Sequence, residues 1–546
     1  MTVSDDIRCL LEDHTPEWTH PHQQWSNLAA LLLLLFLAFW LILIIYRIWF
    51  HPLSHIPGPR LAAATYLYHA YYQVYKGGMF FKKRPELLAK YGPVVRISPT
   101  NVEIYDPELY HSVYGQKSQY LKDPQHYRRM AGGRSSAFAL DPQEHRLRRK
   151  LINPMLSKKA VNDAADAIIY GVVDKFISVM EKLSEDGNPI PIANGFYCVT
   201  VDIISAYLFG EAWNMLDEPG LKGEWLDSLM SIANHTNLGQ HFPGLVQTML
   251  FLGGLFPSII PVAIQKHTRN CTQLVQEYLD ADKATKASGA TTAAAEVAAE
   301  LKETPPRKTL MDAIVNPPPS LANYKTSFPE LVDESLVLMV AGTDTTAVTV
   351  QYATWHFISK PDVKKRVLSE LTSITRDSNG HLPLADLEAL PYFSGFICET
   401  LRHNVIVPGR LPRIVPAGGI TVPKTNTFLP PGTSISFCTT MIHNSSEIWG
   451  DDAGEFKPER WVGNPGLDKW LLSFSKGDRN CAGINLAYAE LYLVLANLFT
   501  AFEMQPYMTT EQDMQSVDCG LAVPRKRLMV VAKRKVERPG TGKKVG

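Results

Sequence analysis

The stretch Phe474-Ser-Lys-Gly-Asp-Arg-Asn-Cys-Ala-Gly483 constrains this chain more than any other. It sets one cysteine after a Gly-containing turn and directly before Ile484 to Phe499, whose apolar spacing predicts a helix. Cys481 is therefore expected at a helix N-terminus, where unpaired backbone N–H groups and the positive end of the dipole favour a thiolate. Such a thiolate serves as a nucleophile or a metal ligand; a buried free cysteine is the plainer alternative. Arg479, two residues earlier, adds positive charge or reaches an anionic cofactor edge. Gly477 and Gly483 are expected to let a flat group approach the backbone.

Lys+Arg and Asp+Glu balance at 54 each, so the total charge carries no nucleic-acid footprint. Seven scattered cysteines without C-x-x-C pairs read as reduced thiols rather than a disulfide framework or zinc site. Leu28 to Ile45 is an uninterrupted apolar run, and with Ile48 to Phe50 it is long enough to cross a bilayer as a helix. Trp25 on one side and Tyr46, Trp49 and Phe50 on the other suit the interfacial aromatic belts. The acidic leader and the length of the run argue against a cleaved signal peptide. Arg47 and Arg60 after the span, against Arg8 before it, place the body on the cytosolic side. The expected division is a lumenal leader over 1–27, an anchor over 28–50, a proline-rich hinge over 51–60, a body over 61–536 and a basic flexible tail over 537–546.

Within the body, Pro93 to Ser98 and Val102 to Tyr105 read as two short strands. In Glu144 to Asn153, His145 and Arg149 share a helix face and reach one anionic group together, whereas a solvated face is the alternative. Residues 280–307 read as a mobile, partly helical connection. Ser327-Phe-Pro-Glu330 opens a helix running to about Ser359, roughly 45 to 50 Å long. Its middle, Ala341-Gly-Thr-Asp-Thr-Thr346, places Gly and hydroxyl residues where propensity disfavours them. Either this is a Thr-lined helix contact, or Gly342 admits a flat cofactor while Asp344 and Thr345 deliver protons. Glu399 and Arg402 lie at i, i+3 on one helix, Phe456 to Trp461 supplies Arg460, and Arg413 stands between them.

The pattern F-x-x-G-x-R-x-C-x-G resembles the haem-binding loop of the cytochrome P450 superfamily. The anchor with its proline hinge, H-x-x-x-R, A-G-x-D-T-T, and E-x-x-R with P-E-R-W occur in that family's order. The resemblance implies a mostly α fold with a small β-rich portion and an N-terminal transmembrane helix. It also implies haem b held between the Ser327–Ser359 helix and the cysteine loop. By the same resemblance Cys481 is the thiolate ligand of the iron. Arg479, His145, Arg149 and Arg413 bind the cofactor, with His145 where the family carries tryptophan. Asp344 and Thr345 relay protons, and Glu399, Arg402 and Arg460 form a structural ion triad. The implied electron donor is a separate NADPH–cytochrome P450 reductase, with cytochrome b5 as a second donor, docking on Arg146, Arg148, Lys150 and Lys476. The remaining partners are membrane lipid and a lipophilic small molecule, with no nucleic acid, and the expected location is the endoplasmic reticulum membrane.

The sequence from Gly133 to Val161 resembles trichodiene-oxygenase-like fungal enzymes. That favours oxidation of a terpenoid or polyketide-derived scaffold over a sterol or fatty acid. A peroxide-rearranging isomerase and a non-catalytic haem ligand-binding protein are the competing classes. The pocket is expected between about Gln116 and Leu140, Val337 and Thr345, and Val405 and Leu411. The sequons at Asn234 and Asn444 are expected to be unused on a cytosolic body.

Overall fold

A computed structural model describes residues 21–128, 130, 132–222, 238–255, 262–287, 309–518 and 520–535. Most of the leader, Asn234, residues 288–308 of the Ala-rich connection and the tail lie outside the described residues; 280–287 end a helix, Val262–Ala287. Helix α1 (Pro21–Ile45) continues through one π-helical turn at Tyr46–Phe50. The stretch Trp25–Phe50 is long and apolar enough to cross a membrane, and none of it is buried. Two other apolar helices of similar length are buried in the body, so composition alone does not mark them as spans.

The proline-rich segment after α1 is clamped to the body rather than acting only as a spacer. Leu53 and Ile56 are buried in an apolar cluster with strand residues. Arg96 donates to the carbonyls of Arg47 (2.8 Å) and Leu53 (3.4 Å), and Arg47 donates to that of Ala64 (2.9 Å). Gly58 approaches so closely that a Cβ would stand 2.3 Å from the Arg96 carbonyl oxygen. The end of the apolar helix is thus fixed to the sheet that frames the site.

That sheet has five strands: β1 (Val94–Arg96), β2 (Asn101–Ile104), β3 (Leu121–Lys122), β4 (Arg413–Ile414) and β5 (Ser434–Phe437), in the order β1-β2-β5-β4-β3. Strand β2 runs parallel to β5 and the other pairs are antiparallel. The β3–β4 register sets Lys122 directly opposite Arg413. Like charges so placed repel each other and weaken the pairing unless an anion lies beside them.

The helices that frame the site are α2 (Phe80–Tyr91), α3 (Pro107–Tyr114), α4 (Pro124–Tyr127), α5 (Pro142–Ile152), α6 (Ile192–Phe209), α7 (Phe328–Ser359), α8 (Pro391–His403) and α9 (Ile484–Ala501). An Asp-Pro step starts α3, α4 and α5. In each, the Asp side chain (Asp106, Asp123, Asp141) accepts a first-turn N–H, and the proline fills a position whose own N–H would have no helical partner. At the start of α7 the Glu330 carboxylate accepts from the Ser327 N–H (2.8 Å) and hydroxyl (2.7 Å). Helix α7 crosses the body between α6 and α9. Phe357 near its end stacks on Phe499 of α9 with ring centroids 3.7 Å apart.

The missing side chain of Gly342 faces α6. A Cβ there would stand 2.7 Å from Ile204 Cγ1 of α6, so the glycine allows close packing of α6 against α7. Gly477, at φ +66°, packs against α3, where a Cβ would meet the Tyr114 carbonyl oxygen at 2.3 Å. A Cβ on Gly483 meets nothing within 4 Å.

Candidate functional site

Cys481 lies three residues before the first residue of α9 and two before Gly483 at the helix N-cap. Its backbone N–H donates to the Phe474 carbonyl at 2.9 Å, closing the loop on itself. The side chain is deep among protein atoms yet accessible to a water-sized probe, so it borders an internal space. Burial pushes the thiol above its ordinary value, opposed by the Gly483 N–H and the charge of Arg149. The helix end alone therefore does not lower the thiol here; a metal cation against the sulfur would.

Five basic groups gather beside this loop: Lys122 of β3, His145 and Arg149 of α5, Arg413 of β4 and Arg479. Burial, then Arg479, Arg413 and Arg149, push Lys122 down to about 6. His145 is pushed down to about 3 by burial and by Arg479, Lys122 and Arg149. Arg479 is lowered to about 10 by burial and by Arg413. Among the described residues none of the five is ion-paired to a carboxylate. Their hydrogen bonds go to neutral acceptors: Arg149 to Asn480 Oδ1 (3.2 Å), Arg413 to the Tyr127 hydroxyl (2.9 Å), Arg479 to the Ala139 carbonyl (2.7 Å) and Lys122 to the Ala137 carbonyl. Cations that depress one another in a buried place call for an anion. A deep sulfur ligand beside such a set fits a flat iron cofactor with carboxylate arms.

Tyr127 and Leu411, both bonded to Arg413, also line a cavity of about 380 Å³. Its wall includes Val337, Ala341 and Thr345 of α7 and the segment Val407 to Leu411, as the sequence led one to expect. The segment from His69 to Arg84, Gln240 and the stretch around Asp518 to Leu521 complete it, and nothing local in the sequence announces them. Thr345 donates its hydroxyl to the Ala341 carbonyl (2.8 Å), leaving its lone pairs free to accept. Asp344 is buried, its Oδ1 has no hydrogen-bond partner, and burial alone pushes its carboxyl up to about 7.

Glu399 is fully buried on α8 and holds more than the expected pair of arginines. Its carboxylate accepts from Arg402 (2.7 and 2.8 Å), Arg460 (3.1 Å), the Lys457 N–H (2.8 Å) and the Trp461 indole (2.9 Å). Arg402 also donates to the carbonyls of His443 (2.5 Å), Ala453 (2.8 Å) and Glu455 (2.9 Å). His443 accepts the Leu472 N–H at 2.8 Å, and the Ser473 hydroxyl donates to the Leu401 carbonyl at 2.7 Å. The triad is thereby tied to the start of the cysteine loop. Sequence reasoning missed Trp461 and His443, although the tryptophan stands in the quoted P-E-R-W.

Arg148 is a correction. It was expected to face outward for docking, but it is buried and bonded to Glu330, Tyr324 and the Arg134 carbonyl, with Glu144 at 2.8 Å. Its side chain thus links α5 to Glu330 in the first turn of α7. Arg146 and Lys150 are exposed as expected, and Lys476 is half-buried.

The family model described as Cytochrome P450 matches residues 59–532. "Cytochrome P450 monooxygenase BOT1" of Botryotinia fuckeliana is 33% identical, with 92% of this chain and 95% of the relative covered. "Cytochrome P450 monooxygenase ankB" of Aspergillus thermomutatus is 32% identical over 86% of this chain and 87% of that one. "Cytochrome P450 monooxygenase aneF" of Aspergillus aculeatus is 30% identical over 89% and 95%.

Proposed function

The chain belongs to the cytochrome P450 family, and from that premise we propose that Cys481 ligates its haem iron, that Arg149, Arg413, Arg479 and His145 hold the cofactor, and that Asp344 and Thr345 manage protons. It is a monooxygenase of secondary-metabolite biosynthesis, and its family binds haem iron through a cysteine thiolate. Enzymes of this class take electrons from a redox partner and act on lipophilic substrates. The observation that carries the residue assignments is the deep Cys481 beside five basic groups that have no carboxylate partner. Haem supplies the oxygen activation; the residues around it bind, orient and move protons.

Lys122 joins the cofactor-binding set in this reading, because its register partner is Arg413. Arg413→Met and Lys122→Met are each expected to weaken haem retention about 10- to 100-fold, the loss of a charge-assisted contact. Haem transfer from the purified protein to apomyoglobin measures this, and an unchanged transfer rate in both variants contradicts the assignment.

With its O–H committed to the Ala341 carbonyl, Thr345 accepts from whatever donor enters the cavity, and it passes a proton on when its hydroxyl rotates. Asp344, with a carboxyl near 7, gives and regains a proton close to neutral pH. Thr345→Ala is expected to divert NADPH electrons from product to hydrogen peroxide several-fold, with substrate binding retained. Because the Asp344 pKa is raised, its acid form is present below about 7 and is lost above it. Coupling should therefore fall as pH rises through that value, and Asp344→Asn should flatten the profile. A profile of the same shape in the Asn variant removes Asp344 from proton delivery.

The exposed span Trp25–Phe50 supports single-pass attachment, and we assign the membrane to the endoplasmic reticulum with the body, residues 61–536, in the cytosol. NADPH–cytochrome P450 reductase, with cytochrome b5 as a second donor, is proposed to meet Arg146, Lys150 and Lys476; Arg148 leaves the set. A terpenoid or polyketide-derived intermediate remains the preferred substrate class.

A further inference from the structure

The cavity beside α7 is walled largely by apolar side chains, yet a second cationic group lies on it, apart from the basic set around Cys481. Arg410 is deep in the fold and lines this cavity. Among the described residues it makes no hydrogen bond and no ion pair, and it lies over no aromatic ring. The carboxylates whose charge reaches it are already engaged. Glu103 accepts from Arg84 (2.5 Å) and the Ser436 hydroxyl (2.7 Å). Asp123 accepts from the Ser434 hydroxyl (2.7 Å) and the Gln125 N–H (2.8 Å). The cavity's own carboxylate, Asp518, is held by Gln73 (3.1 Å) and the Gly520 N–H (2.9 Å).

Imidazoles surround Arg410. His69 and His126 line the same cavity, and His241 Nε2 lies 3.2 Å from His69 Nδ1. Nε2 of His126 is buried without a partner. Burial and the nearby Arg410 hold His69 and His126 well below the ordinary imidazole value, so both are neutral and Arg410 is the cation of the group. The electrostatic neighbours of Arg410 are Glu103, Arg84, Asp123 and Tyr127, whereas those of Lys122 are Arg479, Arg413 and Arg149. His126 stands between the two cationic groups, within electrostatic reach of Arg410 on one side and of Arg413 and Lys122 on the other.

A guanidinium without a partner on an apolar wall is costly unless the cavity's occupant brings the counter-charge. Its planar fork matches a carboxylate, and neutral imidazoles beside it can donate to the same oxygens. We propose that Arg410, with His69 and His126, anchors a carboxylate carried by an otherwise apolar substrate, so that the enzyme takes a lipophilic acid and presents its hydrocarbon part to Ala341 and Thr345. This rests on the reading of the cavity as the substrate site.

The test is binding of farnesoic acid and its neutral counterpart methyl farnesoate to the haem-loaded protein, by calorimetry and by the shift of the ferric Soret band. Wild type is expected to prefer the acid by about tenfold or more, the worth of a charge-assisted contact. Arg410→Met should collapse that preference and Arg410→Lys should keep part of it, with the ferrous carbonyl spectrum of each variant reporting an intact haem site. Equal affinities for acid and ester in wild type, or equal weakening of both in Arg410→Met, overturn the carboxylate anchor alone. Binding of neither probe to wild type overturns the cavity reading and the anchor with it.

Discussion

Glu399→Ala is expected to leave no recoverable haem-loaded protein. The carboxylate is completely buried and carries five hydrogen bonds, two of them from Arg402 and one each from Arg460, Lys457 and Trp461. Its removal leaves the Arg402 guanidinium without a carboxylate in a place from which water is excluded, at a cost of about 3 to 5 kcal/mol, while Arg460 keeps its ion pair with Asp452 (3.0 Å). That is a large share of the roughly 5 to 15 kcal/mol that separates a folded domain from its unfolded chain. The damage is not confined to the triad. Arg402 organises the carbonyls of His443, Ala453 and Glu455, and His443 in turn fixes Leu472 ahead of the cysteine loop.

Burial would raise the Glu399 pKa, but the bonds from Arg402, the Lys457 N–H and Arg460 outweigh it and hold the carboxyl below its ordinary value. The stabilisation is therefore complete above the unfolded pKa and is lost as pH falls through the lower, folded one. Yield of the ferrous carbonyl complex and the thermal midpoint report the outcome. A Glu399→Ala protein with wild-type yield and midpoint shows that the triad is not what holds the loop.

The parts of the site that could be read from the chain are those written in short-range patterns. The turn before Cys481, the Ser-Phe-Pro-Glu start of α7, the period of its apolar residues and the E-x-x-R spacing are each set within a few neighbouring positions. The span and the two strands at Val94–Arg96 and Asn101–Ile104 follow from hydropathy and alternation in the same way. What remained hidden depends on register and on packing between distant segments. Lys122 belongs with Arg413 because β3 pairs with β4, and no local pattern around Lys122 says so. Arg148 looked like its neighbours in a basic run, but a buried helix face opposite Glu330 chose it for the interior. Gly342 stood inside a motif that suggested cofactor contact, and its missing side chain is the room that Ile204 needs. The partnerless state of Arg410 is visible only once Glu103 and Asp123 are seen to be bonded elsewhere.

Cys481→Ala carries the other large effect, because no neighbouring side chain can replace the sulfur. Among the described residues no His, Cys, Asp and Glu cluster offers an alternative metal site, and the remaining described cysteines, Cys198, Cys271, Cys398 and Cys438, sit elsewhere with thiols pushed up by burial. The basic groups proposed to receive the cofactor's carboxylates are untouched by the change, so the variant should still take up haem. What it should lose is the thiolate's electron donation. The most direct measurement of the central claim is the absorption spectrum of the reduced protein under carbon monoxide. A red-shifted Soret band in the wild type that is absent from a folded, haem-containing Cys481→Ala protein is the result expected. Persistence of that band in the variant contradicts the assignment of Cys481 as the iron ligand and, with it, the site built around it.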